Sequence, residues 1–312
     1  MRGFSYVPLN ERMRFTSHHV YFALLIQLRG TSVETDSSPV QNYILGNSTH
    51  EQERLKLQAS IVGRWTEGFF RAAGLDRGMN VLDLGCGMGD VSLLVAEIVG
   101  PSGRVTGIDR DSVVIHKARE RCALQGHSAP IELVHTDLLE FRSEDRPFDA
   151  VVGRYVLLYQ PDPVRAMKHL AEQVRFGGIL CFHEMDFGNP VRCLPDDTLY
   201  SSSYALIGEA FRRMGLPADF GLHLTRTFLN AGLPWPQVKA GIPIGGEAGS
   251  YVYGWIAETL RTLLPRLEQF GIATAEELDL DTLAKRIEDE AVERQSQLLG
   301  PIQFGAWARK AH

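Results

Sequence analysis

Val81-Leu82-Asp83-Leu84-Gly85-Cys86-Gly87-Met88-Gly89-Asp90 decides how this chain is read. An apolar run with one acid inside it reads as a buried strand, and three alternate glycines follow at once. After them, Val91 to Ile98 has the length and periodicity of a helix. Strand, glycine turn and helix in this order let a backbone press against a nucleotide-like ligand, because glycines remove the side chains that would block it.

The spacing narrows the ligand. A dinucleotide fingerprint places its third glycine where the helix crosses a pyrophosphate. Here the order is Gly85-x-Gly87-x-Gly89, and Asp90 stands where a NAD enzyme has glycine or alanine. An acid at a helix N-terminus sits in the field that a diphosphate would otherwise occupy. A ligand with a positive centre is the expectation. The pattern Asp83-x-Gly85-x-Gly87-x-Gly89 resembles the first motif of class I S-adenosylmethionine-dependent methyltransferases. That resemblance implies an α/β fold: a Rossmann-like seven-stranded methyltransferase sheet with helices on both faces and an N-terminal lid helix, to which this chain's own helical stretches add a helical insertion before the last strand. It also implies S-adenosyl-L-methionine as cofactor, with Asp83, Gly85, Cys86, Gly87 and Gly89 at its binding loop.

Further strand ends carry residues that suit such a cofactor. Arg104 to Asp109 reads as a second strand ending in an acid, followed by Arg110. Asp109 lies about 20 residues beyond the loop, where a carboxylate accepts hydrogen bonds from a ribose diol; its alternative role is to cap the helix from Ser112 to Gln125. Pro130 to Asp137 is a third strand. The resemblance places Asp137 near the adenine amine with Leu138 against the ring, the alternative being an Asp that caps a turn. Phe148 to Tyr159 is a fourth strand and its exit. There Gly153 and Arg154 would offer backbone carbonyls to the methionine amine, and Tyr155 would line an acceptor pocket. A fifth strand, introduced by the Gly177-Gly178 turn, ends in His183-Glu184-Met185-Asp186.

Around this core, residues 1–40 read as an arm and linker. Their apolar run Val20 to Leu28 lacks a cleavage site and is shorter than the ~20 residues a bilayer span needs. Residues 41–75 read as a lid helix region, with Tyr43 either over the cofactor or serving as a hydrophobic staple. Residues 76–190 are the cofactor-binding core. Residues 191–312 complete the fold with a helical cap over the acceptor pocket. Within them Leu199–Met214, Tyr251–Phe270 and Thr274–Leu298 read as helices, Thr274-x-x-Glu277 as a capping box, and Ile302–Ala308 as a last strand antiparallel to the fifth.

A net charge of −6 over 312 residues offers no basic surface for nucleic acid. No membrane partner is expected. Four scattered cysteines without ligand spacing imply buried thiols in a reducing, cytoplasmic setting and no metal site. The partner is a small-molecule acceptor, an aromatic, quinone or terpenoid metabolite methylated at carbon or oxygen, and a homo-oligomer is expected. For an oxygen acceptor, His183 is the first candidate base, with Glu184 to orient it or bind an amine. For a carbon acceptor, Tyr155, Tyr159, Phe182 and Trp255 are the aromatic candidates. The alternatives are a protein or RNA methyltransferase and a cofactor-binding module without catalysis.

Overall fold

Strands β1 (Asn80–Leu84) and β4 (Phe148–Arg154) are apolar on both faces. Alternation along them, and along β5 (Val174–Asp186), separates two cores. Val81, Ala150, Val152 and Cys181 enter one; Leu82, Val151, Leu180 and Phe182 enter the other. Burial on both faces is what central strands of a mostly parallel sheet require. The computed structural model describes residues 62–143, 147–188, 193–195 and 198–311, all within the unit Tyr43–His312.

With β2 (Arg104–Asp109), β3 (Ile131–His135), β7 (Gln237–Gly241) and β10 (Ile302–Arg309), these strands form a seven-stranded sheet in the order β3-β2-β1-β4-β5-β10-β7. The first five are parallel; β10 runs antiparallel to both β5 and β7. The order reverses between β1 and β4, which opens a crevice at the carboxyl ends of the strands.

Helix α1 (62–73) and α2 (Asp90–Val99) cover one face, where Phe70, Ala73, Val91 and Val95 share a core with Val81 and Trp307. The described part of the expected lid helix therefore packs on the sheet. The part that begins at Tyr43 lies outside the described residues. Helix α4 (Pro163–Gln173) and α6 (Phe220–Asn230) cover the other face through Met167, Leu170, Leu224 and Phe228. Helix α3 (Ser112–Gln125) flanks β2 and β3.

The helical insertion before the last strand is present. Helices α5 (Thr198–Arg213), α7 (Tyr251–Gln269) and α9 (Leu280–Arg294) pack on one another, and their core is continuous with that of α4 and α6. The expected Thr274–Leu298 helix needs correction. The capping box starts only the short α8 (Ala275–Leu278), and Asp279 at φ 44° breaks the run before α9. The helix stops at Arg294, and β9 (Gln297–Leu299) pairs with β6 (Cys193–Leu194) and β8 (Ile244–Gly245) in a small second sheet. The fifth strand also begins earlier than expected, at Val174, with Gly177 inside it. Among the described residues, no helix is long and apolar enough to cross a membrane.

Candidate active site

The loop after β1 turns on backbone that disfavours side chains. Gly85 and Gly87 have φ of 55° and 51°, a left-handed region that costs an L-residue roughly 1 kcal/mol or more. A Cβ on Gly85 would stand 2.9 Å from a Val156 methyl, whereas one on Gly87 would meet nothing closer than 4.0 Å. The loop is tied to β2 by Cys86 N–H, which donates to Ile108 O at 3.0 Å, and by Gly87 N–H, which donates to Asp109 Oδ2 at 3.0 Å. Asp109 Oδ1 accepts from Asp111 N–H at 3.0 Å. The cap of α3 is Asp111, which accepts from the amides of Val113 and Val114. Asp109 is thus not the helix cap. Burial raises its pKa, and each oxygen keeps accepting capacity toward the cavity it lines.

That cavity lies between the glycine loop and the exit of β4. Of the residues expected at the cofactor, Gly85, Cys86, Gly87, Asp109 and Arg110 line it from the side of β1 and β2. Asp137, Leu138 and Arg154 line it from the side of β3 and β4. Asp137 Oδ1 also accepts from Leu139 N–H at 2.8 Å, so it caps its own turn. Gly89 and Asp83 stand behind the lining. Asp83 accepts from the Ser92 hydroxyl at 2.6 Å, its Oδ1 has no hydrogen-bond partner among the described residues, and burial pushes its pKa up to about 7. Tyr43 lies outside the described residues. Asp90 does head α2, but its charge is already paired: Arg121 Nη2 donates to it at 2.7 Å and Arg121 Nη1 donates to Met88 O. Asp90 nonetheless lines the cavity.

His183 and Glu184 reach no part of this cavity among the described residues. Both are fully buried. The Gln303 amide donates to Pro301 O at 2.8 Å, so its Oε1 accepts from the Tyr155 hydroxyl and from His183 Nε2 at 2.9 Å. This leaves Nδ1 facing the Thr66 hydroxyl at 3.0 Å. Burial, and then the Arg154 charge, push the His183 pKa down to about 3, so the imidazole is neutral. Glu184 Oε1 accepts from the amides of Val156 and Leu157, at 3.1 and 2.8 Å, and burial pushes its pKa up to about 8. Tyr155 lines the cavity in a left-handed conformation (φ 55°), with its hydroxyl turned inward to Gln303. Of the aromatic candidates, Tyr159 borders the cavity, while Phe182 and Trp255 are core residues. The sequence reading did not find Arg121, Thr66 or Gln303. Each acts across the fold on a partner remote in sequence, and no local motif marks it.

A protein-family model described as a methyltransferase domain matches residues 75–209, from the approach to β1 into α5. Residues 75–209 thus carry a methyltransferase domain. The loop, the Asp109 carboxylate and the apolar Ile108 and Leu138 beside it fit S-adenosylmethionine. The demethylmenaquinone methyltransferase of Staphylococcus aureus (strain JH9) is 32% identical over 116 residues, 37% of this chain and 47% of the relative. The chain thus spans about half the length of the curated relatives it matches. Among solved structures, phosphoethanolamine N-methyltransferase 2 of Haemonchus contortus, in complex with phosphomonomethylethanolamine and S-adenosylhomocysteine, superposes with a TM-score of 0.51 at 15% identity. That likeness covers 80% of this chain and 53% of that one. The MccD protein superposes with a TM-score of 0.50 at 14% identity, over 79% of this chain and 97% of that one. These likenesses are of fold.

Proposed function

We propose that this protein transfers the methyl group of S-adenosylmethionine to a small-molecule acceptor, an aromatic, quinone or terpenoid metabolite, at carbon or oxygen. The observation that carries the reading is the left-handed glycine loop held to the Asp109 carboxylate through Gly87 N–H. When bound, the cofactor supplies a sulfonium methyl that a nucleophile can take by in-line displacement. Asp109 holds the ribose diol, Asp137 and Leu138 take the adenine, and the glycines let the backbone approach. The β4 exit, with Arg154, Tyr155 and Tyr159, borders the transfer point, where alignment and exclusion of water supply most of the acceleration.

His183 and Glu184 enter this proposal as positioning groups. Glu184 holds the turn after β4 through the amides of Val156 and Leu157. His183, neutral and enclosed, braces Tyr155 through Gln303. This favours an acceptor whose carbon or already ionised oxygen needs no base from them. The relative named for demethylmenaquinone supports a quinone-type acceptor. The cytoplasmic setting and homo-oligomeric assembly belong to the same proposal. The test is incubation with methyl-labelled S-adenosylmethionine and panels of quinols, phenols and terpenoids. Label in an organic-extractable product is the expected result; label only in added protein or RNA contradicts the acceptor class.

A further inference from the structure

Arg154 ends β4 opposite His183 and lies half-buried on the cavity wall. A guanidinium presents five N–H donors in a planar fork. Among the described residues its guanidinium makes one hydrogen bond, a long one from Nη1 to Thr66 Oγ1 at 3.5 Å, and no carboxylate lies within ion-pair distance. The other half-buried arginines differ. Arg121 reaches Asp90 at 2.7 Å, Arg261 reaches Asp281 and Leu280 O at 3.0 Å, and Arg266 reaches Gln269 at 2.7 Å. Arg286 reaches Asp279 O at 3.1 Å and Leu278 O. Of these five, Arg154 alone lines the cavity, and alone lacks a side-chain contact shorter than 3.5 Å among the described residues. Its charge has weak local compensation: Asp83, whose burial favours the neutral form, acts on it without contact.

We infer that the Arg154 guanidinium is the receptor for a carboxylate inside the cavity. The inference rests on the methyltransferase reading and assigns the role to the side chain, where the sequence suggested the backbone. A carboxylate matches the fork with two parallel hydrogen bonds, a geometry that lysine cannot reproduce. The carboxylate comes from one of two sources, the amino-acid end of the cofactor or the acceptor.

The experiment is calorimetry on the full chain, wild type and Arg154→Gln, with Arg154→Lys as a second variant. The ligands are S-adenosylmethionine, its decarboxylated form, and 4-hydroxybenzoate against 4-hydroxybenzyl alcohol on protein saturated with S-adenosylhomocysteine. A cofactor carboxylate predicts that Arg154→Gln weakens S-adenosylmethionine about tenfold or more and leaves the decarboxylated form within about threefold. An acceptor carboxylate predicts unchanged cofactor binding and loss of 4-hydroxybenzoate alone. In either case Arg154→Lys recovers only part of the affinity. Equal weakening of a ligand and its carboxylate-free counterpart overturns the inference, as does no weakening of either carboxylate. Wild-type protein that binds no S-adenosylmethionine contradicts the methyltransferase reading instead, and the inference falls with it.

Discussion

Asp109 and His183 stand near the carboxyl ends of parallel strands in the same sheet, yet one faces a cavity and the other is sealed. The difference lies in their neighbours. At Asp109, β2 stops and the chain turns into the loop that caps α3. At His183, β5 runs on to Asp186, past its last pairing with β4, and antiparallel β10 stays registered with it from Ile179 to Asp186. Phe69 of α1 closes the remaining side, its ring edge-on to His183 at 5.0 Å. A polar residue at a strand end becomes a ligand group only where the neighbouring strands stop too. Where they continue, polar groups must satisfy one another, as Tyr155, Gln303, His183 and Thr66 do.

Substitutions on either side test this contrast. The largest effect should come from Gln303→Leu, which removes the acceptor shared by the Tyr155 hydroxyl and His183 Nε2. Urea unfolding should report a loss of about 2–5 kcal/mol. Wild-type stability in that variant would mean that the sealed network does not brace the fold. On the open side, Gly85→Ala adds a Cβ in a left-handed position against Val156. It should weaken S-adenosylmethionine about tenfold in a calorimetric titration while changing stability less than Gln303→Leu does.

Glu184→Gln tests the seal through pH. The folded pKa of Glu184 is raised to about 8 from an ordinary 4.5, so its contribution to stability is fully present below pH 4.5 and is lost as pH rises through 8. The variant should gain on wild type over that window, by a few kcal/mol at pH 8.5 on the order-of-magnitude scale of such shifts. His183 has the opposite sign. Its pKa is lowered from 6.5 to about 3, so wild type loses stability as pH falls through that range and His183→Asn should not. A parallel pH profile for wild type and variant would place either group in contact with water. The smallest effect should be that of Asp90→Asn, whose charge Arg121 already compensates. Stability should fall by about 1 kcal/mol or less and cofactor affinity stay within about threefold. A larger loss of affinity would return Asp90 to the role that its place at the helix start suggested.

The sheet was legible because its signals are local. Apolar runs, the alternate glycines of the loop and the acids Asp109 and Asp137 each sit inside a few residues of their strand. The antiparallel direction of the last strand followed from the family resemblance, and the helical insertion from the two helical stretches that precede that strand. The site was legible to the extent that it is made of strand ends beside the loop. His183 and Glu184 were read as open to the acceptor because local sequence cannot show that β10, more than a hundred residues later, runs beside them. Arg121 was missed for the same reason, as was the division of Thr274–Leu298, where Asp279 adopts a conformation that a helical pattern does not forecast.

The measurement that bears most directly on this account is calorimetric titration of the protein with S-adenosylmethionine and, separately, NAD, repeated on Asp109→Ala. The account predicts binding of S-adenosylmethionine and not of NAD, weakened about a hundredfold in the variant as the charged acceptor for the ribose is lost. Folded protein that binds no S-adenosylmethionine, or an Asp109→Ala variant that binds it as wild type does, would contradict it.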